Sequence, residues 1–160
     1  MSWCSRPRAW GPAVLLLAAA PAVASAQGWR ETRLWAVGLA SRPAVYGAGL
    51  GLEWRDKGRT RLGAAFAAGA SGDGRAAVRL EGAWHFLLDP WRGHGLGLYG
   101  GGGIAITAVD GSRVSPWVLA LIGVETGPAA RRGFFVEAGF GGGARLAAGV
   151  RWRTQNAPGR

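Results

Sequence analysis

The stretch Ala76-Ala77-Val78-Arg79-Leu80-Glu81-Gly82-Ala83-Trp84-His85-Phe86-Leu87 decides the fold. Successive side chains of an extended chain point to opposite sides. Val78, Leu80, Gly82, Trp84 and Phe86 then share one face, and Arg79, Glu81, Ala83 and His85 share the other. The pattern recurs in Val45 to Trp54, where Tyr46, Ala48, Leu50, Leu52 and Trp54 oppose Val45, Gly47, Gly49, Gly51 and Glu53. It returns in Ala144 to Trp152, where Leu146, Ala148, Val150 and Trp152 oppose Arg145, Ala147, Gly149 and Arg151.

Outward from these segments, the chain divides into eight short runs separated by clusters of Gly, Pro, Asp, Ser and Arg. Besides the three above, the predicted strands are Arg33 to Ala40, Thr60 to Ala68, Leu96 to Val109, Trp117 to Thr126 and Phe134 to Phe140. Glycine supplies 29 of 160 residues, and each interior Gly costs a helix about 1 kcal/mol relative to Ala, so helices are poor candidates. All seven connections are short enough for hairpins, and no helical segment is available for parallel crossovers. The expectation is an all-β, closed, antiparallel up-and-down eight-stranded transmembrane β-barrel.

Which face points inward follows from its composition. A soluble sandwich hides its apolar face and presents Lys, Thr, Ser and Glu to water. Here the second face is dominated by Gly and Ala, which gain nothing in water but leave room inside a narrow barrel. The charges among them, Glu53, Arg61, Arg79, Glu81, Glu137, Arg145 and Arg151, are mixed in sign and can pair. They predict a polar network in the lumen, with His85 facing inward on the same face as Glu81 and Ala83 between them. Leu, Val, Ile, Phe and Trp form the outward band, and Trp35, Trp54, Trp84, Trp91, Trp117 and Trp152 are expected near strand ends, at membrane interfaces.

The N-terminus carries Arg6 and Arg8, then an uncharged apolar run from Ala13 to Ala20, then Ala24-Ser25-Ala26. This is the pattern of a cleaved secretory leader, residues 1–26. Its apolar core is about half of the ~20 residues that a spanning helix needs. The barrel is expected over 27–152, with a short C-terminal tail over 153–160. Cys4 is the only cysteine and leaves with the leader, so the mature chain holds neither a disulfide nor a thiolate site. Two of the 19 basic residues also leave, against none of the nine acids, which makes the mature charge +8. In an exported chain such a charge points to outer-membrane lipid and lipopolysaccharide phosphate as partners, not to nucleic acid, or to a generally basic surface biased toward Arg, since Lys57 is the only lysine.

In strand count, dyad pattern, aromatic strand ends and leader, the region from Arg33 to Trp152 resembles the small eight-stranded outer-membrane barrels grouped with outer-membrane proteins A, W and X. Gly149-Val150-Arg151-Trp152 is similar to the aromatic-ended terminal strand that such families present to the outer-membrane assembly machinery, although here the chain continues through Arg153 to Arg160. The resemblance implies location in the cell outer membrane with both termini on the periplasmic side. The first, third, fifth and seventh turns would then face outward, and these are short.

Chemistry is sparse. The mature chain has two histidines, His85 and His94, too few for a metal centre without cysteine, and the resemblance alone keeps an inward catalytic histidine open. The glycine run Gly100 to Gly103 lacks the Gly-Lys-Ser/Thr ending of a phosphate loop and reads as a flexible strand. No catalytic, cofactor or metal residue is assigned, and no enzyme is expected. Three readings stand: a structural or membrane-integrity barrel with a side-chain-filled lumen, a narrow transport path for a small apolar molecule or ion, and a periplasmic lipocalin-like ligand binder.

Overall fold

The computed structural model of the chain describes residues 29–55, 59–88 and 94–154; the predicted leader, Trp91 and residues 155–160 of the tail lie outside them. Eight strands follow one another: β1 (Trp29–Ala40), β2 (Val45–Arg55), β3 (Thr60–Ser71), β4 (Ala76–Leu87), β5 (Leu96–Val109), β6 (Ser115–Thr126), β7 (Arg132–Phe140) and β8 (Ala144–Thr154). Each pairs antiparallel with the next, and β8 pairs with β1, closing the barrel. Every predicted strand is present, and most are longer than the apolar alternation alone suggests. β1 begins four residues before Arg33, and β8 includes Arg153 and Thr154, because polar residues at the barrel mouth keep the strand pairing going.

Ladder register fixes the barrel's geometry. From Arg30, successive partners are Trp54, Leu62, Trp84, Gly102, Ala120, Phe140 and Ala144. The next partner is Ala40, again on β1 but ten residues from the start. With ~3.4 Å per residue and ~4.8 Å between strands, that stagger over eight strands gives a tilt of about 40°. Strands of 9 to 14 residues at this tilt suit a bilayer core, which needs about 9–11.

Two rims result. The terminal rim carries the start of β1, the end of β8 and the β2–β3, β4–β5 and β6–β7 connections. The distal rim carries the tight turns at 41–44, 72–75, 110–114 and 141–143. Outward-facing Leu34, Leu50, Leu52, Leu62, Ile104, Val118 and Ile122 are exposed, up to 82% for Val118. Aromatic rings bracket this band. Trp84 and Phe86 stack 5.8 Å apart toward the terminal rim, the end at which Trp54, Phe134 and Trp152 also lie on their own strands, while Tyr46, Trp117 and Phe140 lie at distal strand ends.

Trp35 does not belong to that girdle. It is 5% exposed and faces the lumen, because it shares its side of β1 with Arg33 and Val37. Its registered partners, Gly49 on β2 and Gly149 on β8, leave space for the indole. The same device recurs: Tyr99 lies opposite Gly123 and Phe135 opposite Gly149. A Cβ on Gly123 would collide with the Tyr99 ring, and one on Gly149 would come within 2.9 Å of Phe135. Large inward side chains are thus seated on glycines of the neighbouring strand.

Candidate functional site

The lumen is the only region where chemically active side chains converge among the described residues. Six arginines and five glutamates are buried there: Arg33, Arg61, Arg79, Arg145, Arg151 and Arg153 with Glu31, Glu53, Glu81, Glu125 and Glu137. Every glutamate of the chain is in this set, whereas all four aspartates fall at turn positions or in the undescribed connections. An isolated buried charge is prohibitively costly, so eleven of them require mutual pairing.

At the terminal mouth, Glu31 accepts from Arg153 Nη2 at 2.7 Å and lies 3.4 Å from Arg61 Nη1 and 3.7 Å from Arg151 Nη1. Glu125 takes Arg61 at 2.9 Å and Arg151 at 3.3 Å. Arg153 and Arg151 also donate to the carbonyls of Pro128 (2.6 Å) and Gly127 (2.7 Å), tying the β6–β7 connection over the mouth.

Deeper in, Arg33 bridges Glu53 (2.7 Å) and Glu137 (2.6 Å), and the Tyr99 hydroxyl donates to Glu137 at 2.8 Å. The guanidinium of Arg33 stacks 3.4 Å over Phe135, and that of Arg61 lies 4.6 Å over Tyr99. Toward the distal side, Arg145 joins Glu81 and Glu137 at 2.9 Å each, and Arg79 links Glu81 (2.6 Å) to Thr107 (2.7 Å). Beyond Arg79 the filling turns apolar, with Leu39, Val45 and Ala77 buried together and Val109 packed on them.

Each of the predicted lumen residues Glu53, Arg61, Arg79, Glu81, His85, Glu137, Arg145 and Arg151 is buried in this interior. The structure adds Glu31, Arg33, Tyr99, Glu125 and Arg153. Their signal was the two-residue parity: Glu31 and Arg33 alternate in step with Trp35, and Glu125 in step with Leu121 and Gly123.

His85 packs edge-on to Tyr99, and its Nδ1 lies 3.4 Å from Glu53. Beside it is a cavity of about 30 Å³, lined by Arg33, Trp35, Glu53, His85, Glu137 and Arg145 among others, with room for one or two waters. No nucleophilic hydroxyl or thiol shares a bond with His85, and no three His, Cys, Asp or Glu residues are grouped to hold a metal among the described residues. His94 lies in the bend before β5, apart from this site.

No protein-family model matches the chain, and neither does any curated protein. Solved structures do. The N-terminal β-barrel domain of Pseudomonas aeruginosa OprF aligns at a TM-score of 0.54 and 16% identity, over 80% of this chain and 100% of that one. Neisserial surface protein A aligns at a TM-score of 0.57 and 13% identity, over 80% of this chain and 97% of the other. At such identities the likeness is one of fold, and the fold of this chain is that of the small eight-stranded outer-membrane barrels.

Proposed function

We propose that this chain is an outer-membrane barrel with a structural or membrane-integrity role, exported by its N-terminal leader and carrying out no catalysis. The observation behind this reading is the ionic filling of the lumen inside an outward apolar band. An eight-stranded barrel is just wide enough for its own side chains, and eleven paired charges occupy that width. A lipocalin-like binder would need the large apolar residues inside, whereas Leu50, Ile104, Val118 and Ile122 point outward. A transport path is disfavoured by the interior volume, which leaves space only for water, and by the apolar cap of Leu39, Val45, Ala77 and Val109. The barrel's partners are then outer-membrane lipid and lipopolysaccharide, together with the assembly machinery that reads its terminal strand.

Two measurements test the reading. The detergent-extracted protein should run faster on a gel unheated than boiled, as a compact barrel does. In planar bilayers the inserted protein should give no steady conductance. Release by salt in soluble form, without a heat-dependent shift, would remove the membrane reading; a sustained ion current would replace the structural role with transport.

A further inference from the structure

The two rims differ in charge. On the terminal rim Arg30, Arg59, Arg131 and Arg132 are exposed, and the connections there add Lys57 and Arg92 against Asp56 and Asp89 in the sequence, so basic residues stay in excess. The acids nearest this mouth, Glu31 and Glu125, are turned inward and held by Arg61, Arg151 and Arg153. On the distal rim Arg42, Arg75 and Arg113 face Asp73 and Asp110, which leaves an excess of one positive charge. Arg75 there is engaged by Asp73 at 2.8 Å and donates to the Asp110 carbonyl at 2.9 Å.

Arg30 and Arg132 also sit on the lipid-facing side of their strands. Arg132 is registered with Trp152, Trp152 with Thr32, and Arg30 lies two residues from Thr32 on the same face. The end of β8 thus presents a half-buried indole between two exposed guanidinium groups at the level of the aromatic belt. Interfacial indoles settle beside headgroups, arginine stems run along apolar surface, and the guanidinium fork matches a phosphate.

We infer that Arg30, Arg132 and Trp152 form a binding surface for the phosphate of anionic glycerophospholipids, in the leaflet from which the barrel inserts. This rests on the membrane reading above. The leaflet follows from the cost of moving charge through hydrocarbon: the distal turns are short and nearly balanced, so they cross, while the arginine-rich rim stays behind. For an exported chain that is the periplasmic leaflet, built of glycerophospholipid.

The test uses the full mature chain in phosphatidylcholine vesicles containing brominated phosphatidylglycerol or, separately, brominated phosphatidylcholine, with tryptophan emission as the readout. Brominated phosphatidylglycerol should quench preferentially, by roughly five-fold in apparent affinity per engaged arginine at low salt, and less as salt screens it. The double variant Arg30→Gln/Arg132→Gln should lose most of this preference while retaining the heat-dependent gel shift, and Arg132→Lys should keep much of it. The distal variant Arg42→Gln/Arg113→Gln should behave as the unmodified chain. Equal quenching by both lipids in an inserted barrel overturns the inference alone, as does a preference lost only with the distal pair. Failure to insert in any lipid overturns the membrane reading itself.

Discussion

The two halves of the lumen are filled by opposite means. From the terminal mouth to Arg79 the interior carries the lattice of arginine and glutamate, with Trp35, Tyr99, Phe135 and Leu121 packed among its members, whereas the distal end is closed by Leu39, Val45, Ala77 and Val109 without charge. An apolar cap needs only shape and volume. An ionic lattice needs every partner in place, since each charge is tolerable only through the others. The barrel therefore draws its stability from two sources, one tolerant of substitution and one not.

The sharpest way to break the contrast is Glu137→Ala, which strips Arg33, Arg145 and the Tyr99 hydroxyl of a shared carboxylate. Unfolding in urea from vesicles should show a loss of about 3–5 kcal/mol, as for other broken buried pairs. A loss below about 1 kcal/mol would mean that water substitutes for the carboxylate and the lattice is not cooperative.

In the distal cap, Leu39→Ala should cost about 2–3 kcal/mol, and the volume-conserving Leu39→Met less than about 1.5. Neither should produce conductance in planar bilayers, because the charged half still fills the barrel. A current through the Leu39→Ala variant would show instead that the apolar cap is the seal.

Between these halves, the seating of rings on glycine predicts that Gly123→Ala displaces Tyr99 and costs about 1–3 kcal/mol through overpacking. The change should also appear in near-ultraviolet circular dichroism. Silence in both measurements would show that the ring can move aside without loss.

The smallest effect lies on the distal rim. The Asp73 carboxyl is held down to about 2, below its usual value, first by the hydrogen bond from Arg75 and then by the one from the Ser71 hydroxyl. A depressed carboxylate stabilises the fold above its unfolded pKa, and that contribution is lost as pH falls through the folded value. The Arg75 tie between the β3–β4 and β5–β6 turns should therefore loosen only between about pH 4 and 2, with an NMR titration of Asp73 centred near 2. A midpoint near 4 would show that the tie does not form in solution.

Much of this was legible in the residues. Leu50, Trp84 and Leu146 point outward and Glu53, Arg79 and Arg145 inward, as two-residue alternation requires. For Trp35 proximity to a strand end suggests an interface, but its parity with Arg33 and Val37 puts it inside. Glu31 precedes the apolar residues that mark β1, so alternation alone does not reach it.

The face of each strand residue follows from local order alone, because side-chain direction alternates and needs no knowledge of the neighbours. Which residues meet depends on the closed ring: Arg33 with Glu137, Arg61 with Glu125, Arg153 with Glu31. Those pairs join residues 104, 64 and 122 positions apart: the last is made directly across the closing β1–β8 ladder, and the first two because closure with a ten-residue stagger brings non-adjacent strands to a common level. Stagger belongs to the whole ring of ladders, so no single segment encodes it.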